Sequence, residues 1–154
     1  MPEIQGMLSA TGRRIALVAG RFNDLIVSRL IEGAADCFMR HAGEEKNLTV
    51  VRVPGSLEIP LVAGRLAGSG KHDAVVCLGA VIRGGTPHFD YVAAETSKGI
   101  ASESLRTGLP IIFGVLTCDT LEQALERAGV KNGNRGWDAM LAALEMVDLL
   151  PRLG

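Results

Sequence analysis

Four short apolar runs, separated by segments with helical periodicity, constrain the fold of this chain more than any other feature. The runs cover residues 15–19, 48–53, 74–78 and 111–116. Each is long enough for a strand and too short for a helix that crosses a membrane. Nearly continuous apolar strands that alternate with helices predict an α/β fold, in which a parallel sheet carries helices on both faces.

The segments between these runs contain recognisable helix signals. Thr120-Leu121-Glu122-Gln123 has the pattern of a capping box, and Gly129 is a plausible end of the helix that this box opens. Gly43 is the predicted C-cap of the first helix, whereas Thr86 and Pro87 are the predicted N-cap and first residue of the third. The predicted helices cover about residues 24–42, 56–66, 87–106, 120–129 and 135–150.

Length and composition indicate one domain over residues 1–154, with residues 1–12 as an extended N-terminal arm that we expect to need a neighbour to pair with. Hydrophobic residues make up 47% of the chain, which points either to an efficient core or to apolar surface for partner subunits. The net charge of −1, without a basic stripe, argues against nucleic-acid binding. No long apolar segment or secretory signal is apparent, so we expect a cytoplasmic protein that does not bind membranes.

The three cysteines, Cys37, Cys77 and Cys118, lie far apart in apolar or helical stretches. Their spacing matches no zinc-binding pattern, and buried reduced thiols are the simplest interpretation. We therefore expect no metal site.

The segment 79–92 combines a glycine-rich turn with a predicted helix start. Free backbone N–H groups at a helix start bind anions, and His88 in the same first turn can carry protons near neutral pH. This combination suggests chemistry on a small phosphorylated substrate. The glycines alone are equally compatible with a purely structural turn.

In parallel sheets, ligands bind beyond the carboxyl ends of the strands. The segments that follow the four predicted strands contain Phe22, residues 56–58, residues 80–88 and Thr117. We therefore expect these side chains to meet at one edge of the sheet.

Four ordered segments of the chain resemble the lumazine synthase family, and the resemblance as a whole covers about residues 12–150. They are Gly20-Arg21-Phe22-Asn23, the segment 54–60, the segment 79–92 and Glu126-Arg127-Ala128-Gly129. The resemblance implies a flavodoxin-like three-layer α/β/α sandwich around a four-stranded parallel sheet. It also implies a transferase of riboflavin biosynthesis that condenses 5-amino-6-(D-ribitylamino)uracil with 3,4-dihydroxy-2-butanone 4-phosphate, without a cofactor.

The same resemblance implies roles for individual residues. The Phe22 ring would cover the pyrimidinedione, the Ser56-Leu57-Glu58 segment would bind the ribityl chain, and His88 would move protons. Leu57 stands where many members have an aromatic residue, and Arg135 where the family usually has lysine. The remaining binding residues implied are Ala80, Val81, Ile82, Gly85, Thr86, Phe113, Arg127 and Arg135, with Lys131 as a further candidate.

Each of these positions also has an interpretation without a ligand. Phe22 could be a hydrophobic staple for the first helix, and Glu58 and Arg127 suit the start and end of their helices electrostatically. The alternative function is a non-catalytic relative that binds flavin or lumazine, or that only forms a shell.

The family resemblance also implies assembly. Members form pentamers in which adjacent subunits share each active site, with Phe113 and Arg127 reaching into the neighbour's site, and some members build icosahedral shells. The short link 129–134 resembles that of the shell-forming members, so we expect a shell, although pentamer and decamer remain open. Riboflavin synthase is the protein partner that the resemblance suggests.

Overall fold

The computed structural model describes residues 1–129 and 133–154, and it contains one sheet of four parallel strands. The strands are β1 (Ile15–Gly20), β2 (Leu48–Val53), β3 (Ala74–Ile82) and β4 (Ile111–Cys118). Their order is β2-β1-β3-β4, with β1 paired to β2 and β3, and β3 paired to β4. The predicted α/β class and the four-stranded parallel sheet are both confirmed.

Helices cover both faces of this sheet, which confirms the flavodoxin-like three-layer arrangement. The helices are α1 (Asp24–Arg40), α2 (Ile59–Ala67), α3 (His88–Thr107), α4 (Leu121–Arg127) and α5 (Arg135–Leu149). One core cluster joins buried residues of α1, α4 and α5 to one face of the sheet, and a second joins α2 and α3 to the other. The side chains of β1 alternate between the two clusters, because successive strand residues point to opposite faces.

Strand β3 is longer than its sequence predicted. The predicted strand ends at residue 78, whereas the observed one continues to Ile82, where Val81 pairs with Thr117 and Ile82 with Cys118. β-Branched side chains favour this extended, paired backbone over a turn. Ala80, Val81 and Ile82 are therefore strand residues, and the glycine-rich turn begins only after Arg83.

Helix α3 begins one residue later than predicted. His88 is its first residue and Pro87 its N-cap, so the prediction of Thr86 as N-cap was wrong. The Thr86 hydroxyl still accepts a hydrogen bond from the His88 backbone N–H at 3.4 Å. Because the proline ring fixes its own φ, at −71° here, Pro87 can enter the helix without side-chain capping.

The end of α1 also differs from prediction. Ala42, not Gly43, adopts the left-handed conformation, with φ of 71°. The Gly43 N–H donates to the Phe38 carbonyl at 2.9 Å, which is the outer bond of a Schellman motif. Glycine is required at 43 for space, because a Cβ there would overlap the Phe38 ring.

The N-terminal arm packs against its own chain near residues 6–10, although its sequence suggested that it would need a neighbour. The Met7 N–H donates to the Asp148 carboxylate at 2.8 Å, and the N–H of the fully buried Ala10 donates to the His41 carbonyl at 2.8 Å. The Met7 bond, followed by that from Arg152, lowers the pKa of Asp148. The arm is thus attached to both α1 and α5.

All three cysteines are buried and none forms a disulfide. Burial raises the pKa of the Cys37 thiol to about 12, with the negative charges of Asp36 and Asp138 adding to the effect. Burial also raises the pKa of Cys77. Within residues 1–129 and 133–154, no helix is long and apolar enough to cross a membrane.

Close packing of α1 on α5 depends on Gly136, since a Cβ there would overlap the Leu30 carbonyl. Replacing glycine by alanine inside a helix gains about 1 kcal/mol of propensity. Overpacking against a backbone atom costs about 1–3 kcal/mol or more, because a main-chain carbonyl cannot rotate away. We therefore expect Gly136→Ala to lower the free energy of unfolding, measured by chemical denaturation at matched protein concentration.

Gly68→Ala is the matched control, because a Cβ at Gly68 makes an ordinary 3.4 Å contact with the Gly64 carbonyl oxygen. We expect the control to change stability by less than about 0.5 kcal/mol. A Gly136→Ala protein as stable as wild type would contradict this account of the helix contact.

Candidate active site

One cleft opens at the carboxyl ends of the strands, and a second runs along the edge strand β4. The first has a volume of about 420 Å³ and lies beyond β1, β2 and β3. It brings together most of the residues predicted from the sequence to bind substrate. Those lining it are Phe22, Ser56, Leu57, Glu58, Ala80, Val81, Ile82, Thr86 and His88.

Phe22 is held in the first cleft through its backbone. The Phe22 N–H donates to the Pro54 carbonyl at 3.1 Å, which continues the β1–β2 pairing into the turn. The residue is 74% exposed, so its side chain is not packed as a hydrophobic staple would be. Asn23, to which we assigned no role from the sequence, adopts φ of 62° and donates from its side chain to the Ala80 carbonyl at 2.7 Å. This bond joins the Phe22 turn to the end of β3.

The segment 56–58 forms a 3₁₀ turn that leads into α2. Ser56 is buried, and a Cβ on Gly79 would come within 2.6 Å of its hydroxyl oxygen, so the Ser56 side chain lies against β3. Leu57 and Glu58 are exposed at the cleft. The turn therefore offers a carboxylate and an aliphatic surface to a ligand.

The turn 84–87 offers unpaired backbone donors next to His88. Among the residues that the structure describes, the N–H groups of Gly84, Gly85 and Thr86 have no hydrogen-bond acceptor. The His88 side chain is exposed and likewise has no partner within the described ranges. Gly85 belongs to this turn but does not line the first cleft. Free amides and a free imidazole at one helix start can receive an anion and a proton.

Arg83, which our sequence analysis did not single out, connects this turn to β4. Its Nε donates to the Asp119 carboxylate at 2.8 Å, its Nη1 to that of Asp90 at 3.4 Å, and its guanidinium lies 4.4 Å from the centre of the Phe89 ring. The hydrogen bond with Asp119 raises the pKa of Arg83.

The second cleft, of about 380 Å³, lies beside β4 and the start of α5. Phe113, Arg127 and Arg135 line it together with Asp138, an acidic residue for which sequence reasoning had no signal. Arg127 donates from Nη1 to the Gln123 carbonyl at 3.3 Å and lies 3.7 Å from the Cys118 sulfur. The cleft is therefore a cationic pocket with one aromatic wall.

The two clefts of one chain share no lining residue among those described. The predicted site is thus divided, with Phe113, Arg127 and Arg135 apart from the other residues. Lys131 lies outside the described residues, as do the central positions of the link 129–134. Among the residues that the structure describes, no group of three or more His, Cys, Asp or Glu side chains could hold a metal ion.

Comparison with known proteins identifies relatives over nearly the whole chain. A family described as 6,7-dimethyl-8-ribityllumazine synthase matches residues 12–151. Proteins of that name from Desulfatibacillum aliphaticivorans and Chloroherpeton thalassium are 58% and 57% identical over 150 residues, which is 97% of this chain and 97% of each relative. The protein of that name from Syntrophus aciditrophicus is 58% identical over 154 residues, covering 99% of this chain and 100% of the relative. The chain belongs to the 6,7-dimethyl-8-ribityllumazine synthase family.

Proposed function

We propose that the first cleft of one chain and the second cleft of a neighbouring copy together form one active site. The chain, as a member of its family, is a transferase of riboflavin biosynthesis. It condenses 5-amino-6-(D-ribitylamino)uracil with 3,4-dihydroxy-2-butanone 4-phosphate to give 6,7-dimethyl-8-ribityllumazine, inorganic phosphate and water. The observation that carries the shared-site proposal is the division of the expected residues between two clefts without a common wall.

In this proposal the uracil substrate lies in the first cleft. The exposed Phe22 ring stacks on the flat heterocycle, and the Glu58 carboxylate accepts hydrogen bonds from ribityl hydroxyls. The backbone of Val81 and Ile82, at the end of β3, faces the polar edge of the ring. Leu57 adds aliphatic contact but no stacking surface.

The phosphate of the second substrate binds between the two chains. The free N–H groups of Gly85 and Thr86 contact it from one side. Arg127 and Arg135 of the neighbouring copy supply positive charge from the other side. A guanidinium forms two parallel hydrogen bonds to phosphate, so Arg135 serves here with different geometry from the lysine usual in the family.

The chemistry requires positioning and proton transfer. The uracil amine attacks the ketone, water leaves to give an imine, phosphate is eliminated, and ring closure with loss of a second water yields the product. His88 carries protons for these steps from its exposed position beside the phosphate-binding turn. Holding two substrates together supplies much of the rate, and the mechanism uses no metal or redox cofactor.

Assembly is part of the proposal, because a single chain has only separate halves of the site. Large apolar side chains are exposed on α2 and α3, including Leu61, Tyr91 and Leu105, and suit contact with further copies. We propose a pentamer as the smallest unit and a hollow icosahedral shell as the full assembly. We further propose a cytoplasmic location and transfer of the product to riboflavin synthase.

Replacing His88 with Ala tests the proton-transfer step. We expect turnover to fall roughly a hundredfold, the usual scale of general acid–base catalysis. The measurement is the growth of lumazine absorbance with both substrates saturating, between about pH 6 and 8, where imidazoles titrate. Turnover equal to that of wild type throughout this range would remove His88 from the mechanism.

Arg127→Ala tests the phosphate contact. We expect KM for the butanone phosphate to rise by a factor equivalent to roughly 2–3 kcal/mol, while KM for the uracil substrate changes little. Arg40→Ala is the matched control, since Arg40 is an exposed arginine at the end of α1. Equal weakening of both substrates would count against the assignment.

Light scattering combined with electron microscopy tests the assembly. We expect particles of at least five chains, the smallest unit proposed, in which Phe113 and Arg127 complete the site of a neighbouring copy. A stable monomer with full activity would refute the shared site, and a stable dimer with full activity would refute the pentamer as the smallest unit.

A further inference from the structure

Arg83, which directly precedes the turn 84–87, joins three separate segments of the chain. Its backbone N–H donates to the Cys118 carbonyl at 2.9 Å, which extends the pairing of β3 with β4 by one residue. Its side chain donates to Asp119, directly after β4, and to Asp90 in the first turn of α3. One residue thus connects the last paired strand position to the helix that carries His88.

The Asp119 end of this connection is firmly held. The Asp119 N–H donates to the Gln123 side chain at 2.8 Å, and Gln123 completes the capping box of α4 with Thr120. Asp119 is therefore fixed to both β4 and α4. The contacts hold the Asp119 backbone, and its short side chain places the carboxylate that accepts from Arg83 close to this fixed position.

The turn between Arg83 and His88 has few contacts of its own. Cβ atoms built on Gly84 and Gly85 would meet nothing within 4 Å. Arg83 and Asp90 lie on either side of this turn, and their contact at 3.4 Å closes it. The guanidinium also covers Phe89, whose ring packs against the core cluster under α2 and α3.

We propose that Arg83 is a positioning residue for the condensation, and that its bonds to Asp119 and Asp90 hold the phosphate-binding turn and His88 in a fixed position relative to β4. This inference rests on the proposed function, because it assumes that the turn and His88 act on the butanone phosphate. Arg83 needs no contact with substrate for this role.

The energetics separate this role from a structural one. The side chains of Arg83 and Asp119 are 47% and 66% exposed, and exposed ion pairs add little to folding stability. A displacement of about 1 Å at reacting groups, in contrast, can cost about a hundredfold in rate. Loss of Arg83 should therefore impair catalysis while the thermal midpoint remains that of wild type.

The first experiment compares Arg83→Gln, Arg83→Lys and Asp119→Asn by steady-state kinetics. For Arg83→Gln we expect kcat/KM for the butanone phosphate to fall about tenfold to a hundredfold, through both kcat and KM. KM for the uracil substrate and the thermal midpoint should remain unchanged. Arg83→Lys should recover little of the activity lost in Arg83→Gln, because an ammonium group lacks the planar fork with which a guanidinium bridges two carboxylates.

Arg40→Gln is the matched control, because it removes the same charge from an exposed Arg–Asp pair on α1. We expect wild-type kinetics for it. A comparable loss in Arg40→Gln, or full activity in Arg83→Lys, would overturn the inference, because either result would reduce the effect to net charge.

A double-mutant cycle tests the route through Asp119. If Arg83 acts by binding Asp119, the Arg83→Gln/Asp119→Asn double variant should be no slower than Arg83→Gln alone. Additive losses in the cycle would overturn the inference.

His88→Ala and Arg127→Ala, assayed in parallel, distinguish the two levels of proposal. Normal kinetics in Arg83→Gln with impaired His88→Ala and Arg127→Ala would overturn the positioning role and leave the active site intact. Normal kinetics in all three would overturn the proposed site and the positioning role with it.

Discussion

The structure depends on one constraint: the central strands β1 and β3 are buried on both faces. Every residue of β1 is buried, and its side chains alternate between the two core clusters. Such strands must carry helices on both sides, and parallel strands joined by those helices all point the same way. The carboxyl ends of β1 to β4 are therefore gathered at one edge, where the first cleft opens, while the second cleft runs along β4.

Gathering the strand ends does not by itself produce one complete site. The first cleft forms beyond β1, β2 and β3, whereas Phe113 belongs to β4 and Arg127 to α4, at the β4 margin of the sheet. The separation of the first cleft, with its exposed Phe22 side chain, from the cationic second cleft follows from strand order. A neighbouring copy of the chain is a simple way to place a second cleft beside a first cleft.

The sequence predicted the sheet and the helices well because their apolar patterns report burial directly. Two of the wrong predictions are at glycines, where a local turn signal disagreed with strand pairing or side-chain packing. Gly79 was interpreted as the start of a turn, but pairing with β4 keeps the chain extended to Ile82. The sequence predicts Gly43 as the C-cap of α1, whereas Ala42 adopts the left-handed conformation and steric contact with Phe38 requires the glycine.

The candidate site shows the same difference between local sequence signals and contacts made by residues far apart in the chain. Positions that follow strands, such as Phe22, could be found from order along the chain and from the family motifs. Asn23 and Arg83 act through partners 57 and 36 residues away, so no local pattern indicates their contacts. Asp138, which lines the second cleft together with Arg127, is a lone acidic residue that no sequence pattern marks.

The contrast between the sheet and the turn after it explains how this fold combines stability with an accessible site. Burial of apolar strands stabilises the sheet, and the free amides of the turn remain available to a ligand because nothing packs on them. Such a turn needs contacts that define its position without filling the space around it. Long polar side chains that reach back to the strand ends meet this requirement, since they fix geometry at little cost in buried area. Arg83 has this form and binds Asp119 directly after β4, while the shorter Asn23 side chain, which lines the first cleft, binds the Ala80 carbonyl of β3.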